Sequence, residues 1–372
     1  MQSVFSNALS ETIAKHASLH PTRHETLGWL VLLIMRFGAV SLWRLAAHVR
    51  TDAKIDSVRR RFYRFFQFVR LDVALGARIV VSLLGLEGKP WTLAIDRTNW
   101  EFGRAAINIL MVSVEWRGIG VPLIFTLLPK AGNSNTAERI DLLDRLKAVF
   151  PDMKIASLTG DREFIGNAWM AYLAREKIPF TLRLRENQLV VREGYETWHI
   201  ERITQNLKRG GVIILKGFCR LGSSGQVSAL RVRIVIIRLK TGELLALATN
   251  SRPKPALARY RARWSIETLF GNLKTRGFDL EATHITDPEK LETLLVIMTI
   301  AATLAAKTGA AAHQIRPIPD KAHGRKAVSI FAHGLAVLRQ ILARAVPEQV
   351  KRFLDGLLSP SLPLKPLIRL GF

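Results

Sequence analysis

Trp91-Thr-Leu-Ala-Ile-Asp96 is a short apolar run closed by an acid. Its length and composition predict a buried strand with a carboxylate at its end. The same grammar continues on both sides. Ala105 to Trp116, rich in Ile, Val and Met, predicts a second strand; Gly118 and Gly120 supply a turn, and Val121 to Leu128 predicts a third. After a loop over Pro129 to Asn135 comes an amphipathic helix ending at Phe150, with Ile140, Leu143, Leu146 and Val149 apolar. Lys154 to Thr159 predicts a fourth strand with Gly160-Asp161 at its end. A helix over Ile165 to Glu176 and a fifth strand, Pro179 to Leu184, complete the series.

Three strands, helix, strand, helix, strand is the order of the ribonuclease H fold, an α/β class with a mixed five-stranded sheet flanked by helices. In that order the first and fourth strands are neighbours, so Asp96 and Asp161 approach each other. Two carboxylates brought together repel unless a cation lies between them. A divalent metal with all-oxygen ligands, Mg²⁺ or Mn²⁺, suits that role. For either aspartate alone, a strand-end cap or a surface acid is the plainer reading.

Further along, Tyr260-Arg-Ala-Arg-Trp-Ser-Ile-Glu-Thr-Leu-Phe-Gly-Asn-Leu-Lys274 follows Pro253 and Pro255 and meets no breaker before Gly271, which predicts one helix. At about 100° per residue, Tyr260, Arg263, Glu267 and Lys274 fall within an arc of roughly 60°. That face carries a phenol, a guanidinium, a carboxylate and an ammonium, while Ile266, Leu269 and Leu273 face a core. An exposed helix with an (i, i+4) Arg–Glu pair has the same local pattern. The two upstream aspartates tip the balance toward a site.

Composition sets the partner class. Over 372 residues, Lys and Arg outnumber Asp and Glu 55 to 30, a formal charge of +25. A polyanion is the natural ligand, and the basic residues are spread along the chain rather than gathered in a tail. Apolar residues make up 48%, which marks a globular chain with a sizeable core. Cys219, the only cysteine, excludes an intramolecular disulfide and a thiolate metal cluster. Met1 to Arg23 lacks a secretory apolar region, and Leu294 to Ala306, the longest apolar run, is too short for a span; a cytoplasmic setting with no membrane partner is expected.

The expected division is a helical region over 1–85, a catalytic domain over 86–185 and 252–310, a β-rich basic insertion over 186–251 and a helical basic region over 311–372. In the first, Leu27 to Phe37 predicts a compact apolar helix. Ser41 to His48 and Ile55 to Phe68 predict two helices about a turn, like a helix-turn-helix, with Arg59, Arg60, Arg61 and Arg64 available to DNA phosphates. A basic surface helix of an ordinary bundle has the same pattern. In the insertion, Gln188 to Val191, Val212 to Gly217, Val227 to Leu239 and Leu244 to Thr249 predict strands, with turns at Gly210-Gly211, Gly222 to Gly225 and Thr241-Gly242. The last region carries Lys321, Arg325, Lys326, Arg339, Arg344, Lys351 and Arg352, suited to DNA contacts or a dimer surface.

With these residues in view, Tyr260-x₂-Arg263-x₃-Glu267-x₆-Lys274 is similar to the Tyr-Arg-Glu-Lys signature of bacterial insertion-sequence transposases of the DDE, cut-and-paste type. Leu93-Ala-Ile-Asp96-Arg-Thr98 resembles that family's first-aspartate strand, Leu158-Thr-Gly-Asp161-Arg-Glu-Phe164 its second, and Arg276 to His284 the segment after the signature. The resemblance implies that Asp96, Asp161 and Glu267 bind two Mg²⁺ ions, replaceable by Mn²⁺, and catalyse phosphodiester transfer. It implies that Tyr260, Arg263 and Lys274, with Arg162, grip DNA at the terminal inverted repeats, and that two copies act together on transposon ends and target DNA. Some members pass through a hairpin and stack a flipped base on an aromatic; Trp264 and, less well, Trp198 are the candidates, although core packing is the plainer role for either. His199 and His284 are isolated, and no phosphate-binding Walker motif is present. A non-catalytic DNA-binding regulator and a junction-resolving nuclease on the same fold are the competing readings.

Overall fold

The computed structural model describes residues 2–16, 18–102, 105–192, 197–223, 226–322 and 326–371. The chain opens with helices α1 (Gln2–Ala14), α2 (Pro21–Phe37), α3 (Leu42–Ala46), α4 (Ile55–Phe68) and α5 (Val73–Leu84). Then follow β1 (Pro90–Phe102), β2 (Ala105–Trp116), β3 (Ile119–Leu128), α6 (Thr136–Val149), β4 (Lys154–Gly160), α7 (Asn167–Arg175) and β5 (Phe180–Arg183). Every element expected between 90 and 185 is present. The α6 start is set by a capping box, in which Asn135 accepts from the Glu138 N–H and Glu138 accepts from the Asn135 N–H.

Next come β6 (Leu189–Arg192), β7 (Trp198–His199), α8 (Ile200–Ile203), β8 (Val212–Ile214), β9 (Cys219–Ser223), β10 (Gln226–Val227), β11 (Arg233–Arg238) and β12 (Leu244–Thr249). Helices α9 (Ala256–Arg261), α10 (Trp264–Leu273), α11 (Pro288–Ile315), α12 (Ile330–Arg344), α13 (Pro347–Leu358) and α14 (Leu364–Arg369) close the chain.

The main sheet is mixed and has eight strands in the order β3-β2-β1-β4-β5-β12-β11-β8, not five. The β1–β4 and β4–β5 pairs are parallel; the others are antiparallel. The extension has a physical cause: β5 would otherwise leave a row of unpaired backbone groups at an edge. β12 covers that edge, with Thr249, Ala248 and Leu247 opposite Thr181, Leu182 and Arg183, and β12 is buried along its whole length. Part of the expected insertion is therefore main sheet, and β6, β7, β9 and β10 form a second sheet in the order β10-β9-β6-β7. The turn expected at Gly222 to Gly225 falls partly, and Arg325 wholly, outside the described residues.

Two further expectations change. β1 does not stop at Asp96: it pairs with β2 as far as Phe102, while its pairing with β4 ends at Ile95 opposite Gly160. The signature stretch is two helices. Between α9 and α10, the N–H groups of Ala262, Arg263, Ser265 and Ile266 bond to carbonyls three residues back, a tight 3₁₀ turn. Gly271 is no stop, since α10 continues to Leu273.

Helices α5, α10 and α11 pack on β3, and α9 lies over β4, β5 and β12. The terminal regions are joined rather than separate: α1 packs on α13, and α2 on α11 and α12. Helix α11 is apolar and long enough to cross a membrane, but its most apolar window is wholly buried in the fold. Gly309 on α11 and Gly334 on α12 let the two backbones meet, because a Cβ on either would collide with a carbonyl of the other helix.

Candidate active site

The parallel β1–β4 register places Asp96 and Asp161 each one residue beyond the Ile95–Gly160 pair. Asp161 then leads into a 3₁₀ turn, Arg162–Phe164. Gly160 is needed for the close approach, since a Cβ there would press on Phe164, Leu182 and Ile95. Asp96 Oδ1 accepts from the Arg97 N–H at 2.8 Å. Its other oxygen faces Arg263.

The third acid, Glu267, comes from α10, 106 residues after Asp161. Tyr260 sits in a small apolar cluster with Val235, Ile237, Leu245, Leu247 and Ala256, which holds α9 on β11 and β12. From there its hydroxyl donates to Asp161 Oδ1 at 3.4 Å. Ile266, Leu269 and Leu273 anchor α10 in the main core, as their spacing predicted. Between these anchors, Arg263 is almost wholly buried and reaches two acids: Glu267 Oε1 at 2.7 Å and Asp96 Oδ2 at 3.4 Å. Its ring-side face also lies 5.3 Å from the Tyr260 ring centroid.

The electrostatics follow from burial and crowding. The Asp96 carboxyl is raised to about 6, chiefly by burial and to a smaller extent by nearby Asp161 and Glu267, against the Arg97 N–H and Arg263. Burial likewise raises the Tyr260 phenol to about 12. For Arg263 burial disfavours the charge, yet Tyr260, Glu267 and Asp161 outweigh it and hold its pKa above the ordinary value. Among the described residues no three acids, histidines or cysteines stand together as a ready metal site. The acids are the right chemistry for a hard cation, and the guanidinium lies among them.

Several supporting residues were not singled out from sequence. Glu163 accepts from Arg97 Nε at 2.6 Å and from the Ser134 N–H and Oγ at 3.1 Å, with Arg139 4.0 Å away. This ties the segment after Asp96 to the turn after Asp161. Arg183, near the end of β5, lies 4.0 Å from Asp161 and 2.6 Å from Glu243. The available signals were positional: Glu163 stands two residues after Asp161, and Arg183 occupies on β5 the place the aspartates occupy on their strands. A groove of about 680 Å³ beside Asp161 is lined by Arg97, Arg183, Arg185 and the exposed Arg162.

The remaining expected residues are scattered. Lys274 donates to the Asn99 carbonyl at 3.1 Å and lies over the Trp100 ring, away from the acids. Trp264 is exposed; Trp198 is half-buried and stacked by Arg202 at 4.3 Å. His199 and His284 are exposed. On α4, Arg61 is engaged by Thr26, the Thr22 carbonyl and Glu25 and stacks on Trp29, so it braces α4 against α2. Arg59 pairs with Asp56 and lies over Trp43. Arg60 and Arg64 are exposed and line a groove of about 600 Å³ with Arg23 and Ser57.

The structure thus sets two aspartates past the ends of adjacent parallel strands and a helix-borne glutamate on the same buried arginine as the first of them. A family model described as the transposase DDE domain matches residues 87–304, and the chain belongs to that family. No curated protein matches the sequence. Among solved structures, the chain is similar to one described as a cryo-EM structure of the piggyBac transposase synaptic complex with hairpin DNA. The identity is 12% and the TM-score 0.44, over 96% of this chain and 82% of that one.

Proposed function

We propose that the protein is a DNA transposase that cleaves at the ends of a mobile element and joins the freed 3′-hydroxyl to target DNA, and that β1 to β5 are its ribonuclease H-like catalytic core. The observation that supports this reading is that buried Arg263 reaches Asp96 and Glu267, while Asp161 stands beside Asp96, each one residue past the last pair of the parallel β1–β4 ladder. The signature Tyr260, Arg263, Glu267 and Lys274 is read as that of bacterial insertion-sequence enzymes.

The acids are the ligands for Mg²⁺, with Mn²⁺ as substitute. The fit rests on donor chemistry: the three side chains offer oxygen ligands only, and the negative form of Asp96 is disfavoured by burial and, to a lesser degree, by Asp161 and Glu267 nearby, so a divalent cation would favour it. When bound, a pair of such ions supplies activation of the attacking water or hydroxyl and stabilisation of the leaving oxygen. The protein's part is orientation. The Arg97 N–H fixes Asp96 Oδ1, the Tyr260 hydroxyl fixes Asp161 Oδ1, and the Arg97–Glu163 pair holds the two segments in register. Exposed Arg162, Arg60 and Arg64 meet DNA phosphates, Lys274 holds the strand near β1, and Trp264 stacks an unpaired base if a hairpin forms. The +25 charge supplies affinity with a steep salt dependence. Two copies act on two DNA ends.

The test is strand cleavage of an end-containing duplex. Asp96→Asn, Asp161→Asn or Glu267→Gln should each lower it by at least about 10³-fold, about 4 kcal/mol, with duplex binding retained. Cleavage surviving any of the three removes that acid from the site.

A further inference from the structure

We infer that Arg263 is a resident counter-cation that occupies the metal position of the free protein, and that DNA draws it out and thereby licenses metal binding. The inference rests on the carboxylate reading above and adds an order of events to it.

Three observations carry it. One guanidinium, almost wholly buried, reaches both Asp96 and Glu267, two of the three acids. The hold is uneven: the Glu267 contact is 2.7 Å, the Asp96 contact is 3.4 Å, and the Arg263 Nε is buried without a hydrogen-bond partner among the described residues. A guanidinium offers five donors in a rigid fork, and a phosphate satisfies them better than this pose does. Finally, Arg263 stands in the 3₁₀ turn between α9 and α10, while Tyr260 and Ile266 pin the helices on either side. The side chain can therefore leave without moving either anchor, and Glu267, which is substantially exposed, is open to an incoming cation.

The consequence is linkage. A metal and Arg263 compete for the same oxygens, so whatever binds the guanidinium tightens metal binding by the same factor that metal tightens its own. Free protein then binds metal weakly, and the nuclease chemistry is withheld until a phosphate backbone is in place.

The test is Mn²⁺ binding to the full chain, read by the electron paramagnetic resonance signal of free Mn²⁺. Without DNA, Arg263→Gln should bind Mn²⁺ about tenfold more tightly than the parent, within the roughly 5–150-fold range of such couplings. Arg263→Lys, too short to bridge both acids, should fall between. A generic duplex should tighten binding to the parent and leave Arg263→Gln unchanged, after subtraction of the Asp96→Asn signal. If Asp96→Asn loses Mn²⁺ and Arg263→Gln binds no more tightly than the parent, the counter-cation role is overturned while the carboxylate site stands. If adding Asp96→Asn to Arg263→Gln leaves Mn²⁺ binding as tight as in Arg263→Gln alone, both fall. Matching thermal melts of the variants exclude misfolding as the cause of a null result.

Discussion

Arg263 and Lys307 are both buried cations, and their surroundings could hardly differ more. Arg263 lies beside Asp96 and Glu267, past the end of the β1–β4 pairing in the middle of the sheet. Lys307 is fully buried in α11, where its ammonium donates to the carbonyls of Leu357 (2.7 Å) and Ser359 at the end of α13. Burial alone pulls the Lys307 pKa down to about 7. For Arg263 burial acts in the same direction and is overcome by the tyrosine and acids nearby. Burying a charge is costly in both places. Acids allow the charge to persist and make it exchangeable for another cation; carbonyl dipoles hold the ammonium in place, and it sheds its proton near neutral pH. The first arrangement ties α10 to β1, and the second joins α11 to the end of α13.

The most forceful way to break this comparison is to remove an acid from a buried cation. Glu163 serves Arg97 and Ser134 and lies near Arg139, and the Arg97 and Glu163 side chains are only 16% and 15% exposed. Glu163→Ala should cost about 3 kcal/mol in urea unfolding, because Arg97 and Arg139 keep their charge and lose their nearest acid. A loss below about 1 kcal/mol would show that carboxylates are not what sustains these arginines.

Lys307 sharpens the other half. Its folded pKa, about 7, lies below the unfolded value of about 10.4. Below pH 7 both states hold the proton, and the folded state bears the whole burial cost. Between about 7 and 10 the unfolded chain binds more protons, so stability rises with pH, by at most about 1.4 kcal/mol per unit. Lys307→Met should flatten that rise. A parent protein whose unfolding midpoint does not climb over this range, relative to Lys307→Met, would mean that the ammonium keeps its charge at neutral pH without an acid.

How far the sequence foretold these regions depends on the range of each interaction. β1 to β5, α6 and α7 were legible because apolar runs and turn glycines are local signals, and the approach of Asp96 to Asp161 followed from strand order alone. The pairing of β12 with β5 was not legible: Leu247 and Arg183 are brought together by edge coverage, which leaves no trace in either strand's pattern. The break at Ala262-Arg263 was hidden too, since 3₁₀ and α turns share the same apolar spacing over so short a stretch. That break matters, because the helical wheel placed Tyr260, Arg263, Glu267 and Lys274 on one face, whereas Tyr260 and Arg263 are buried beside acids and Lys274 lies over Trp100. Glu163 escaped notice because its partners Arg97 and Ser134 lie 66 and 29 residues away.

The gentlest test uses two arginines three residues apart on α4. Arg61 is engaged by Thr22, Glu25 and Thr26 and covers Trp29, while Arg64 is exposed with no ion pair among the described residues. Sequence gave them the same role, because the groups that engage Arg61 lie on α2, 35 or more residues earlier. Arg61→Ala should lower stability by about 1–2 kcal/mol, from a lost charged hydrogen bond and a lost stacking contact, and leave the salt dependence of DNA binding as it was. Arg64→Ala should change stability by less than about 0.5 kcal/mol and reduce the slope of log affinity against log salt by about one. Urea unfolding and a salt titration on one duplex read both. If Arg61→Ala flattens the slope as Arg64→Ala does, then Arg61 is released from Glu25 when DNA binds, and a guanidinium paired with an acid in the free protein is exchangeable on α4 as well as beside Asp96.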